Sequence, residues 1–307
     1  MLKKLSNKSE KEVYEQIVSV ADNYGASVYR KVRVADVVDI DQLASGPMGN
    51  YALQAHFDFV VVDQEEKPLF AVEYDGPGHD DKNDGRKDAI CRQAGLALFR
   101  VDLQSSRAET ARMSFLRYLV NLWFLATKFA EMQTAGVVPA DEPFMISGFL
   151  KPDAKNIFDS EFDLLGPARG KLNRYCRKNG VPGGPLWHLQ AAEALFAHDA
   201  GDFVAFSSMK LGHVKLCGRA LIGLKMPCRG QLTEVPFSRH EIGQFCTALA
   251  IEDLIEELTL FQNGAGHVVR KPEDVLREVD DLRRAGYVTL LASYGADDDF
   301  AQAIRGK

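Results

Sequence analysis

The stretch that decides the fold runs from residue 56 to residue 88. It reads HFDFVVVD (His56–Asp63), QEEK, PLFAVEYD (Pro68–Asp75) and then GPGHDDKNDGRKD. Two runs rich in Val, Phe and Ala, separated by four polar residues, spell a β-hairpin. Gly76 to Asn83 holds two glycines and a proline and is therefore a loop. Side chains two apart on a strand share a face, so Glu73 and Asp75 point the same way. The hairpin brings Asp58, at the head of an otherwise apolar run, alongside Glu73. Carboxylates gathered at strand ends are costly unless a cation compensates them. With Asp58, Glu73 and Asp75 as oxygen-only ligands, the expected ion is a hard one, Mg²⁺ or Mn²⁺, over Zn²⁺.

Working outward, Glu10 to Asn23 reads as an amphipathic helix with Ser9 as N-cap, and Val28 to Val34 as a strand. Asp84 to Ala94 is a helix stopped by Gly95, Ala97 to Asp102 a strand, and Arg107 to Gln133 a long helix. That order makes residues 1–133 one α/β domain, a mixed sheet flanked by helices. Residues 134–151 (TAGVVPADEPFMISGFLK) lack periodicity and serve as a linker. Residues 152–307 form a second, α+β domain of unknown fold, for substrate or partner selection or for oligomerisation. Its expected helices lie near Leu186 to His198, Arg239 to Phe261 and Glu273 to Ala285. A hairpin is expected from Phe203 to Leu224 and a last strand from Tyr287 to Ala292.

Three further residues join the acids. With Glu10 at 0° and about 100° per residue, Val13, Tyr14, Ile17 and Ala21 fall within about 60° of it. Glu10 thus lies on the apolar face, where an unpaired carboxylate is expensive, and the metal site is its natural partner. His79 sits in the glycine-rich loop. Lys87 lies one turn into the next helix near Asp84 and Asp88. Both can transfer protons or stabilise charge on a phosphate, while the ordinary reading of Lys87 pairs it with Asp84 or Asp88.

Composition narrows the class. The 307 residues are 46% hydrophobic and 26% charged, ample for a core and unlike a disordered or collagen-like chain. The net charge of −6 does not advertise nucleic acid, yet phosphate contact depends on local basic surface and not on the sum. Five cysteines without CxxC pairing and an N-terminus without an apolar h-region point to a reducing cytoplasm. The most apolar stretch, Phe115 to Ala130, is interrupted by Arg117, Asn121 and Lys128, so no membrane segment is expected.

The segments DFVVVD, PLFAVEYDGPGHD and RKDAICRQAGLALFRV, with Glu10 ahead of them, resemble the PD-(D/E)XK nuclease superfamily. The nearest branch is that of bacterial nuclease-like domains related to very-short-patch-repair endonucleases. The resemblance covers roughly residues 10–103. It implies a restriction-endonuclease-like sheet and metal-dependent hydrolysis of nucleic-acid phosphodiesters, DNA favoured over RNA, in defence or repair. Asp58 and Glu73 would be metal ligands. Asp75 stands where the superfamily has its lysine, which leaves the base open between His79 and a migrated Lys87. A protein partner that delivers substrate, or a homodimer that cuts both strands, fits such an enzyme. The alternative is a binding or scaffold module that keeps the fold without catalysis.

In the second half, Arg169, Lys171, Arg174, Arg177 and Lys178 place five cations in ten residues with no acid, interleaved with Asn173 and Tyr175. That composition suits a phosphate-tracking surface, while a solvated helix face is the commoner explanation of such a run. His188, His213, His240, Cys217, Cys228 and Cys246 lack metal-ligand spacing and are expected in the core. Ile242 to Phe261 carries a Leu, Ile and Phe stripe expected to be core or interface.

Overall fold

The computed structural model describes residues 7–42, 46–76, 81–150, 155, 160–181, 191–211, 214–225, 235–264, 272–293 and 298–305. His79, His188, His213 and Cys228 lie outside these residues. The described chain is mixed α/β with eight strands, and it divides into two compact units. The first comprises Met1–Ala108, Ser114–Phe144 and Gly223–Ser238; the second comprises Glu109–Met113, Met145–Ile222 and Arg239–Lys307.

The first unit opens with α1 (Lys8–Ala21). Asn7, not Ser9, is its N-cap: the Asn7 side chain accepts the Glu10 N–H and the Glu10 carboxylate accepts the Asn7 N–H. Ser9 and Glu12 have the same spacing, but the reciprocal capping box that forms is Asn7–Glu10, so the helix starts two residues earlier than expected. Then come β1 (Ser27–Arg33), the short α2 (Val34–Val37), α3 (Gly46–Gln54), β2 (His56–Val62), β3 (Pro68–Asp75), α4 (Asp81–Ala94), β4 (Ala97–Asp102), the short α5 (Leu103–Ser106) and α6 (Phe115–Thr134). β1, β2 and β3 are antiparallel neighbours, and β4 runs parallel to β3. The expected hairpin, the Ala97–Asp102 strand and the Gly95 stop are all present. Gly95 has φ +68°, and Leu96 N–H reaches back to the Cys91 carbonyl, a helix ending that favours glycine.

Each face of this sheet is covered. On one side Val60, Val62, Ala71 and Leu98 pack with Val34, Ala52, Ile90 and Cys91 from α2, α3 and α4. On the other, Phe70 and Phe99 meet Trp123 of α6, and Phe59 meets Tyr14 of α1. The long helix begins at Phe115, eight residues later than expected. Before it, Thr110 and Met113 close a tight turn through Thr110 N–H to Met113 O.

The second unit holds α7 (Leu165–Lys178), β5 (Ala192–Ala197), β6 (Asp202–Leu211), β7 (Val214–Lys225), α8 (Arg239–Gln262), α9 (Pro272–Arg284), β8 (Val288–Ala292) and α10 (Asp298–Arg305). Its strand order is β7-β6-β5-β8. The helix expected over Leu186 to His198 is, for its described residues, the strand β5. All six β5 residues are buried, so AEALFA shows no alternation and its Ala, Glu and Leu content reads as helical. The α7 helix carries the basic run read above as a phosphate-tracking surface or a helix face, and α10 is a helix that the sequence pattern does not predict. The end of β7, Leu224 and Lys225, pairs with Val101 and Arg100 of β4. That is why residues 223–238 count with the first unit, and why the division departs from a single cut across residues 134–151. Among the described residues, no helix is long and apolar enough to cross a membrane.

The stripe from Ile242 is core: Ile242, Phe245, Ile251, Leu254 and Leu258 are buried. His240, at the start of α8, is exposed instead. Cys91, Cys176, Cys217 and Cys246 are buried thiols outside any disulfide. α8 crosses β7 at Gly218, where a Cβ would fall on the backbone of Ala250 and Leu254. Backbone on both sides cannot yield as a flexible side chain can. Gly218→Ala is therefore expected to cost about 3 kcal/mol, the upper range for overpacking, which chemical denaturation against the parent chain measures.

Candidate active site

The site forms where the β2–β3 ladder ends. Backbone pairing runs to Phe59 opposite Val72, and the next residues in register are Asp58 and Glu73. There the side chains take over from the ladder. Asp58 Oδ2 accepts the Tyr74 N–H at 3.0 Å, and Glu73 Oε1 accepts the Asp58 N–H at 3.3 Å. The strand also changes face here. Phe57 packs in the same cluster as Val60 and Val62, with the Lys87 ammonium 5.7 Å from its ring centre. Across from Asp58, on β1, Lys31 has φ +53°, a conformation rare for a residue with a Cβ.

Two lysines bind the carboxylates from opposite sides. Lys87, on α4, donates to Glu73 Oε2 at 2.7 Å and to the His56 carbonyl at 2.8 Å. Both side chains of this pair are buried, at 10% and 6% exposure. Lys31 donates to Glu10 Oε1 at 3.2 Å and to Asp58 Oδ1. Glu10 can reach because its other oxygen, Oε2, fixes the first turn of α1. The result is one hydrogen-bonded chain: Glu10, Lys31, Asp58, Glu73, Lys87.

Asp75 belongs to an adjoining network. Arg100 of β4, 2% exposed, lies 3.7 Å from Asp75 and donates to Asp88 of α4 at 2.8 and 3.0 Å. Arg100 is the register partner of Glu73, so its charge reaches that carboxylate too.

Burial is the first influence on Glu73 and lifts its pKa above the ordinary carboxylate value. The charge of Asp58 adds to this, while Lys87 and Arg100 oppose it. For Lys31, burial works against the charged form. Hydrogen bonds and charge from Asp58, then Glu10, outweigh burial and raise its pKa.

Of the residues singled out in the sequence, the structure brings Glu10, Asp58, Glu73 and Lys87 together and gives Asp75 to Arg100. His79 lies outside the described residues. Of the partners expected for Lys87, Asp88 goes to Arg100 instead, and Glu73 takes the lysine. Lys31 was missed. Its signal was the antiparallel pairing of β1 with β2, which sets it opposite Asp58; its left-handed backbone had none. Among the described residues, no group of three or more His, Cys, Asp or Glu is arranged to hold a metal ion as it stands.

The basic run lies on α7. Lys171, Arg174, Arg177 and Lys178 are exposed, whereas Arg169 makes a bidentate pair with the buried Glu193 at 2.6 and 2.9 Å. Asn173 is buried.

Residues 2–117 match the model of a family described as a protein of unknown function, DUF2726, and this span contains every member of the Glu10–Lys87 chain. No curated protein and no solved structure matches the chain.

Because Glu73 holds its proton more tightly when folded, its contribution to stability is full below the unfolded pKa. That contribution is lost as pH rises through the higher folded pKa. Lys87 is the main charge limiting this loss. Lys87→Met is expected to cost about 3–5 kcal/mol at pH 8, as for one half of a buried pair. Much of that cost should disappear toward lower pH, with pH 5 as the comparison point, because protonation of Glu73 removes the uncompensated charge. Thermal melts at both pH values check this, and an equal loss at both would remove Glu73 as the cause.

Proposed function

We propose that Asp58, Glu73, Lys87 and Glu10 form the active centre of a metal-dependent nuclease that hydrolyses phosphodiester bonds, with DNA the favoured substrate. The observation that carries this reading is the buried Glu73–Lys87 pair beside Asp58 at the open end of the hairpin. In the resembling superfamily the lysine follows the second acid by two residues. Here that place is Asp75, paired with Arg100, and a lysine from α4 reaches the same glutamate. A fold that only needed stability gains little from a buried ion pair.

The donor set fits a hard divalent cation. Its side-chain ligands are carboxylate oxygens, and a cation already stands between Glu10 and Asp58 as the Lys31 ammonium. Asp58 and Glu73 would hold Mg²⁺ or Mn²⁺, with Asp75 at the end of the same strand as the third acid. Bound there, the ion would lower the pKa of a water and stabilise charge on the phosphate. Lys87 keeps Glu73 oriented and offers positive charge to the phosphate. His79, four residues beyond Asp75 in sequence, is the sequence's candidate for proton transfer. The exposed Lys171, Arg174, Arg177 and Lys178 would track phosphates, while Arg169 supports the fold through Glu193. A protein partner or a second copy fits a nuclease whose net charge is negative.

One observation favours the second reading, a scaffold that retains the fold. Lys31 and Lys87 already compensate the carboxylates. Cleavage of plasmid, linear duplex, single-stranded DNA and RNA, with Mg²⁺ or Mn²⁺ and with EDTA, separates the two. Cleavage that needs metal and falls by about 100-fold or more in Asp58→Asn and Glu73→Gln, the scale of losing one preorganised electrostatic contact, supports the enzyme. No cleavage and no Mn²⁺ binding supports the scaffold.

A further inference from the structure

Lys31 and Lys87 both neutralise this site, but they are held in different ways. Lys87 is buried and anchored to a backbone carbonyl as well as to Glu73. That carbonyl keeps its place whatever happens to the carboxylates. Lys31 is 45% exposed, and the partners of its ammonium are the carboxylates of Glu10 and Asp58. An exposed ammonium rehydrates at little cost, and an exposed ion pair holds it only weakly. The Lys31 backbone at φ +53° fixes where the side chain starts, not where it ends.

We propose that Lys31 is a built-in competitor for the metal: its ammonium holds Asp58, a ligand of the proposed site, together with Glu10, and a divalent ion binds Asp58 by displacing it. This rests on the metal-site reading above and adds the regulation of that site. The ammonium carries one charge and the ion two, so the ion wins once its concentration suffices. At lower concentrations the acids stay paired with Lys31 and the site stays closed to the ion. Lys87 does not compete, because it leaves Glu73 only by giving up a second, neutral hydrogen bond in a buried place.

The test is Mn²⁺ affinity, read by electron paramagnetic resonance of free Mn²⁺ on the full chain at one pH. Lys31→Asn removes the charge, and asparagine tolerates the left-handed backbone. It is expected to bind Mn²⁺ at least tenfold more tightly than the parent. Lys31→Arg keeps a cation and is expected to stay within about threefold of the parent, and Asp58→Asn to lose binding. Equal or weaker binding by Lys31→Asn, with the parent still binding, overturns the role of Lys31 and leaves the metal site standing. No binding by either protein overturns both. Circular dichroism of each variant confirms that the fold is unchanged.

Discussion

Strands that part need something to take their amides, and this protein uses two carboxylates. Where the β2–β3 ladder ends, Asp58 and Glu73 each accept a backbone N–H from the opposite strand. A buried N–H without an acceptor would be expensive, so the acids are structural before they are anything else. Once they are there, charge balance follows. Three carboxylates, counting Glu10, draw in two lysines from different elements, β1 and α4. The left-handed residue on β1, the face change at Phe57 and the burial of Lys87 all centre on this break in the ladder.

The same dependence explains what was legible in the sequence. The hairpin, the Gly95 stop and the strand at Ala97 are written locally, in runs of apolar residues and in a glycine whose φ is positive. Asp58 and Glu73 were visible because acids inside apolar strands are anomalous on burial grounds alone. Glu10 was visible from its helical face. Lys31 was not, because a lysine on an edge strand is ordinary, and its meaning comes only from the register that sets it opposite Asp58. The pairing of Lys87 with Glu73 likewise needed the angle at which α4 lies on the sheet, which local sequence does not contain.

The second unit was harder for a different reason. β5 is buried on both sides, so the alternation that marks a strand is missing, and Ala, Glu and Leu speak for a helix. The burial of Glu193 within it is compensated by Arg169 of α7, while the other four cations of that basic run face solvent. A run of like charges thus conceals one member with a private partner. The hairpin of β6 and β7 and the helices α8 and α9, where pattern and environment agree, were readable.

The capping box of α1 has one more consequence. Glu10 divides its two oxygens, one to the Asn7 amide that begins the helix and one to the Lys31 ammonium. A single carboxylate therefore joins the start of a helix to the charge balance of the sheet. If Lys31 lets go, Glu10 can turn wholly to the helix or swing away from it, and the first turn tightens or frays. Amide exchange at Asn7 is then a gauge of what sits between Glu10 and Asp58, readable at the backbone amide that begins the helix.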